Sequence, residues 1–296
     1  MDKHKNQIPV DEKVPITVII PTKNEEANID QCLKSISWAK KIYVVDSNSS
    51  DETCQISEDF GAEVVQFEYK GRWPKKKNWA INNLKIDTDW IFILDADERV
   101  SVNLKNEIQT AIQSNTHVGY YVRWKFIFLG NWMKYSWSHG WMLRIFKKGY
   151  GDYEDLGMGS EGGWDNEVHE NIIVQGTSSR LKASLLHETN QDLSFWIEKQ
   201  NSFSTWNAYR RFDQIKNKKI GIKALFSNDP LLKRKAMKAL FIKMPFRPLI
   251  VFMYLYIFRL GFLDGRSGFY FCILRSIHEF NISAKMFEIK RNEKRL

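Results

Sequence analysis

Through the first third of the chain, runs of apolar side chains alternate with stretches of mixed polarity. Ile16 to Ile20 is a β-branched run closed by Pro21, the pattern of a parallel strand buried on both faces. From Glu25 to Ser37 the apolar positions Ala27, Ile29, Cys32, Leu33 and Ile36 fall close to helical spacing. Ile42 to Val45 predicts a second strand, ending at Asp46. Ser49-Ser50-Asp51-Glu52 has the form of a capping box that opens a helix to Phe60. Ala62 to Phe67 predicts a third strand, Lys75 to Leu84 a helix, and Trp90 to Leu94 a fourth strand ending at Asp95. This β-α-β-α-β-α-β order predicts an α/β fold: a mostly parallel sheet with right-handed crossovers, flanked by helices.

In such a sheet, ligands bind beyond the carboxyl ends of the strands. Pro21-Thr22-Lys23-Asn24-Glu25, Asp46-Ser47-Asn48-Ser49 and Asp95-Ala96-Asp97 all stand at such ends, so three polar loops are expected to converge on one edge. After Val100 the pattern changes. Val102 to Gln113 reads as a helix, and Gly119 to Phe128 and Met142 to Lys147 as strands. Tyr150 to Asp165 is Gly-rich and acidic and reads as a mobile loop, and Leu193 to Phe212 as an aromatic-bearing helix. The expected division is a catalytic domain over 1–190 and a helical, basic and aromatic region over 191–296.

Composition narrows this picture. The residues are 43% hydrophobic and 27% charged, which describes a globular chain, and the formal net charge of +9 favours anionic partners. The basic excess gathers between Arg210 and Leu296. The three cysteines, Cys32, Cys54 and Cys272, are far apart and form neither a zinc spacing nor a disulfide framework, as in a reducing compartment. The segment up to Val14 is polar, without the apolar core of a signal peptide. Pro248 to Phe258 is apolar but covers only about half of a ~30 Å hydrocarbon core. Flanked by Lys233-Arg234-Lys235, Lys238, Lys243 and Arg247, it reads either as an interfacial membrane segment or as a core helix with a solvated basic face. No nucleic-acid recognition module is visible, and no nucleic-acid partner is expected.

Asp95 and Asp97, separated by one small residue after a buried strand, suit a hard divalent cation, Mg²⁺ or Mn²⁺, that also binds a diphosphate. Asp46 reads either as a turn aspartate or as an acceptor for a base or ribose. Glu25 reads as a first-turn acid, and Lys75-Lys76-Lys77 as a solvated face or as cations near a diphosphate. His187 reads as a metal or diphosphate contact or as a structural histidine. His139, within Trp137-Ser138-His139-Gly140-Trp141, lies among aromatics that would stack on a sugar or fill a core. Arg144 would bind an acceptor phosphate or support its loop.

The segments Val14 to Glu26, Val44 to Thr53 and Asp89 to Glu98 resemble the family 2 glycosyltransferases, in particular the bacterial branch that extends lipopolysaccharide cores and related surface glycans. The resemblance continues through Arg144-Ile145-Phe146, Val168-His169-Glu170, Leu186-His187, Gly261-Phe262-Leu263-Asp264-Gly265 and Gly268-Phe269. It implies a GT-A, Rossmann-like fold; the basic and apolar pattern of the C-terminal helical region adds the expectation that this region lies on the inner face of the cell membrane. It implies that Pro21, Thr22 and Glu25 line the nucleotide pocket, that Asp46 reads the base, and that Lys77 approaches the nucleotide. Asp95 would face ribose and metal, and Asp97 would ligate the metal. Glu170 would be the general base, with Glu161, Asp165 and Glu167 as neighbouring acids. The implied reaction is inverting, metal-dependent transfer of a hexose from a nucleotide sugar, UDP-linked, to a lipid-linked glycan acceptor. Two rivals are a sugar-1-phosphate nucleotidyltransferase, whose Gly-rich loop after the first strand is missing here, and a non-catalytic membrane or glycan-binding protein.

Overall fold

Because Ile16, Val18 and Ile20 face one apolar layer and Ile19 the other, the first strand has to be covered on both sides. In a computed structural model, which describes residues 13–68, 76–137, 140–153, 172–188, 192–217 and 230–293, that strand is β1 (Val14–Thr22). It pairs in parallel with β2 (Ala39–Asp46) and β4 (Trp90–Ile93), and β2 pairs in parallel with β3 (Glu63–Gln66). The crossovers are α1 (Glu26–Ser35), α2 (Thr53–Asp59) and α3 (Lys76–Asn83).

Beyond β4 the sheet turns antiparallel. β5 (Glu98–Arg99) and α4 (Val102–Ser114) are followed by β6 (Gly119–Phe128), β7 (Asn131–Trp132) and β8 (Met142–Lys147). Then come β9 (Gly151–Tyr153), β10 (Ile172–Val174) and β11 (Ser178–His187). The strand order is β3-β2-β1-β4-β8-β6-β11-β5, with β7 beside β6 and with β9–β10 as a separate ladder. Tyr153 and Ile172 of that ladder pack into the apolar layer that holds Ile19, Ile91 and Ile93. The acidic segment expected as a mobile loop therefore begins in strand β9; residues 154–171 lie outside the described residues.

One local expectation needs correction. α2 opens at Glu52 with no side-chain cap, so the serines before it form no capping box. Asp46 takes both the Ser49 amide and its hydroxyl, and Asp51 takes the amide and hydroxyl of Thr53. The buried Asp46 carboxylate outcompetes the helix end for Ser49. By contrast α4 is capped by Ser101, whose hydroxyl accepts from the Leu104 amide at 3.2 Å.

The chain divides into two compact units, Met1–Lys125 with His139–Asn190, and Phe126–Ser138 with Gln191–Leu296. The second unit contains α5 (Leu193–Asn217), α6 (Pro230–Lys243), α7 (Arg247–Met253) and α8 (Gly265–Glu293). A π-helical turn at Tyr254–Phe258 and a 3₁₀ turn at Gly261–Asp264 join α7 to α8. Its aromatic core includes Phe126, Phe128, Trp137, Trp196 and Phe271. At Gly268 a Cβ would stand 2.4 Å from the Gly261 carbonyl, so only glycine permits that approach. Arg211 forks onto Glu279 at 2.6 and 2.7 Å.

Asp264 ties this unit together. Its carboxylate accepts the amides of Lys134, Tyr135 and Ser136 and the Ser136 hydroxyl, at 2.7–3.2 Å. Asp264→Ala leaves those donors without their charged acceptor and is expected to cost about 3 kcal/mol or more. Thermal unfolding of the variant should show the loss, and Asp264→Asn should recover part of it.

Candidate active site

The loops after β1 and β2 are held together by reciprocal hydrogen bonds. The Asn24 amide donates to Ser49 Oγ at 2.8 Å, and the Ser50 amide donates back to Asn24 Oδ1 at 2.9 Å. The Glu25 amide donates to Thr53 Oγ1 at 2.8 Å. Glu26 and Asp51 exchange similar bonds with the opposite loop, at 3.1 Å. Asn24 adopts a left-handed backbone (φ 53°), one that asparagine tolerates better than most side chains.

Beneath this interlock, Thr22 and Asp46 end their strands side by side. Thr22 Oγ1 donates to Asp46 Oδ1 at 2.9 Å. Burial opposes the charge on Asp46, but the donors from Ser49 and Thr22 prevail and hold its carboxyl below the usual range. Both of its oxygens accept hydrogen bonds from the protein, which fixes the carboxylate at the end of β2. Pro21 is partly buried opposite Val45, and Glu25 accepts Asn28 Nδ2 at 2.7 Å. Lys76 Nζ donates to the Thr22 carbonyl at 2.8 Å.

The carboxyl end of β4 carries the densest charge. Asp95 lies between two cations, with Lys77 Nζ at 2.9 Å and Arg144 Nη2 at 2.7 Å. Burial works against its ionisation, yet Arg144 and Lys77 hold its carboxyl well below the carboxylate range. The same Arg144 Nη2 reaches Glu98 Oε1 at 2.7 Å. Glu98 is fully buried; it also accepts Trp124 Nε1 and, at 2.9 Å, the Asp95 amide. Burial pushes the Glu98 carboxyl up, against the pull of Arg144.

Arg144 reaches both acids because β8 is bulged there. Tyr120 pairs with Ile145 and Tyr121 with Leu143, which leaves Arg144 as the extra residue. Its guanidinium stacks 5.6 Å from the Trp124 ring. His187, at the end of β11, stacks on the same ring with centroids 5.0 Å apart, and its Nδ1 lies 3.5 Å from Asp97 Oδ1. The backbone holds this pairing: β11 meets β5 at His187↔Glu98, and the Glu188 amide donates to the Asp97 carbonyl at 3.1 Å.

The structure thus brings Lys77, Asp95, Asp97 and His187 to one strand edge, with Pro21, Thr22, Glu25 and Asp46 at the neighbouring strand ends. Glu170, with Glu161, Asp165, Glu167 and His139, lies outside the described residues. Sequence reasoning missed Glu98 and Trp124. For Glu98 the signal was an acid directly after the Asp-Ala-Asp triplet, at a position that pairing with β11 buries.

A family model described as Glycosyl transferase family 2 matches residues 17–163, the stretch that holds Pro21, Thr22, Glu25, Asp46, Lys77, Asp95, Asp97 and Arg144 but neither Glu170 nor His187. Residues 17–163 are a family 2 glycosyl transferase domain. Among relatives of this glycosyltransferase, a lipopolysaccharide core biosynthesis glycosyltransferase, LpsC of Rhizobium meliloti, is 25% identical over 287 residues, 93% of each chain. An uncharacterized glycosyltransferase of Rickettsia bellii is 38% identical over 106 residues, 36% of this chain and 35% of its own. The crystal structure of S. aureus TarS residues 1–349 is 15% identical, with a TM-score of 0.41 over 90% of each chain.

Arg144→Met would leave two carboxylates at a buried site without their shared cation. The expected loss is about 3–5 kcal/mol in denaturant unfolding. Adding Glu98→Gln should restore part of it, because the neutral amide tolerates burial better. A strictly additive double variant would show that Arg144 does not act through Glu98.

Proposed function

We propose that this glycosyltransferase moves a hexose from a UDP-linked donor, with inversion and with a divalent cation, to a lipid-linked glycan such as a lipopolysaccharide core. The observation that carries the proposal is the Asp95-Ala96-Asp97 turn at the carboxyl end of β4, with Lys77, Arg144 and His187 gathered around it. The full-length similarity to a lipopolysaccharide core glycosyltransferase supports the acceptor class.

Among the described residues, no three His, Cys, Asp or Glu side chains gather as a complete cation site. A Mg²⁺ or Mn²⁺ ion completed by substrate phosphates needs only one or two protein carboxylates, and the Asp97–His187 pair fits that requirement. Such an ion, when bound, neutralises charge on the departing diphosphate. Lys77 and Arg144 keep Asp95 ionised and fixed in place. Pro21, Thr22 and Glu25 border the nucleotide, and the ordered Asp46 loop presents polar backbone to its base. Glu170 is the proposed general base, taking the proton of the acceptor hydroxyl. That oxygen then bonds to the anomeric carbon from the side opposite the leaving phosphate oxygen, which departs with its electron pair.

Asp97→Asn should weaken Mn²⁺-dependent UDP binding by about tenfold or more and abolish transfer. Glu170→Gln should lower turnover by about 10²–10⁴-fold with UDP affinity preserved. Calorimetry with UDP and turnover assays with and without EDTA check both. Undiminished transfer in EDTA would refute the metal, and an active Glu170→Gln would move the base to another acid.

We propose further that the protein works in the cytoplasm, peripheral on the inner face of the cell membrane. Among the described residues no single helix is long and apolar enough to cross a bilayer; one pair, Arg247–Phe258 with Gly261–Glu293, passes by length and composition but bends by 74°. Phe246 and Phe258 are 78% and 75% exposed, and Leu249, Leu263 and Phe280 are exposed as well. Apolar surface left in water, in a region whose sequence is rich in Lys and Arg, supports interfacial attachment. Each Lys or Arg near an anionic surface adds about 1 kcal/mol, screened by salt, while the apolar contribution is not screened. The chain should therefore sediment with phosphatidylglycerol vesicles and less with neutral ones. Gln at Lys233, Arg234, Lys235 and Lys238 should weaken the salt-sensitive part, and Ser at Phe246 and Phe258 the salt-resistant part. Indifference to anionic vesicles at low salt would remove the membrane from the proposal.

A further inference from the structure

A second cationic site lies on the other face of the sheet. Side chains alternate along a strand, so Arg123 points away from Trp124 and shares the face of Tyr121, which packs with Leu143, Tyr153 and Ile172. On β11, Arg180 likewise points away from Leu181, whose face belongs to the opposite core. Arg123 and Arg180 are both exposed, and both rest over one indole: Trp141 lies 4.1 Å from the Arg123 guanidinium and 5.2 Å from that of Arg180. Among the described residues neither guanidinium is paired with a carboxylate. Strands β6 and β11 hold Arg123, Lys125, Arg180 and Lys182 and no Asp or Glu. Two like charges held over one ring repel each other, and the ring offsets only part of that. An anion bound between them relieves the repulsion and gains charge-assisted hydrogen bonds.

Register places this site at the catalytic edge. β8 runs antiparallel to β4, from Trp90↔Lys147 to Phe92↔Ile145, so its amino end, where Trp141 stands, lies at the edge that Asp95 occupies. Val122↔Met142 brings Arg123 to the same edge. The loops expected to hold the nucleotide follow β1 and β2, whereas Arg123 and Arg180 stand on β6 and β11, beyond β8 in the strand order, so the anion held here is a different one from the donor diphosphate. We infer that Arg123, Trp141 and Arg180 form an acceptor subsite that recognises a phosphate or carboxylate group on the acceptor saccharide. The inference rests on the proposed glycosyl transfer and specifies its substrate class as an anionic glycan.

The test uses the full chain labelled with 5-fluorotryptophan, with the Trp141 ¹⁹F resonance assigned through Trp141→Phe. Inorganic phosphate and glucuronate are titrated against chloride at constant ionic strength, alongside the Arg123→Gln/Arg180→Gln variant. The Trp141 resonance should move saturably with at least one anion, and the variant should need about tenfold more or show no shift. In transfer assays, a phosphorylated core oligosaccharide should show a lower KM than its dephosphorylated form. The variant should raise the KM for the phosphorylated form about tenfold and erase the difference, with an unchanged unfolding temperature. A Trp141 resonance that responds to neither anion overturns the subsite, whatever the transfer rate. A shift seen only with phosphatidylglycerol vesicles, together with weaker vesicle sedimentation of the variant, assigns the arginines to lipid headgroups and overturns the acceptor reading. A resonance that responds in a chain inactive on every nucleotide sugar refutes the proposed function and leaves an anion site.

Discussion

One guanidinium holds the charge balance at the end of β4. Arg144 contacts Asp95 and Glu98 at once, and removing it would leave both acids short of compensation in a largely dehydrated place. The neighbouring features follow from that constraint. Trp124 gives Glu98 a donor and Arg144 a stacking surface, and it offers the same ring to His187. Lys77 completes the neutralisation of Asp95 from α3. Asp97, one residue on, stands beside an imidazole rather than a fixed cation. Adjacent acids thereby differ: Asp95 is locked between two protein cations, and Asp97 lies 3.5 Å from the His187 imidazole.

The parallel half of the sheet was legible in the sequence for a simple reason. Strands buried on both faces are continuous apolar runs, and β1, β2 and β4 ended close to where their polar residues begin. β6 and β8 matched the expected residues, Gly119 to Phe128 and Met142 to Lys147. What escaped depends on pairing across long stretches of chain. β5 is two residues long and exists because Leu186 and His187 of β11 lie beside it, nearly ninety residues later. β11 itself alternates apolar and polar side chains without a strong apolar run.

The site was legible in the same uneven way. Its acids announced themselves by standing at strand ends. The part played by Arg144 did not, because a bulge is a mismatch between two strands and neither strand shows it alone. The false capping box has a related cause. Ser49 carries the residue type of a helix cap, but a buried carboxylate three residues earlier claims it. Local motifs were outvoted by tertiary partners wherever a buried charge needed donors.

The interlock between the loops after β1 and β2 carries a thermodynamic consequence. A loop that a ligand must first immobilise subtracts that lost entropy from the binding free energy. Here Asn24, Glu26, Ser49 and Asp51 tie the two loops to each other without any ligand. The rigidity is supplied once, by folding, and is not drawn again from each turnover. A ligand that bound at this edge would lose little to ordering the wall beneath it.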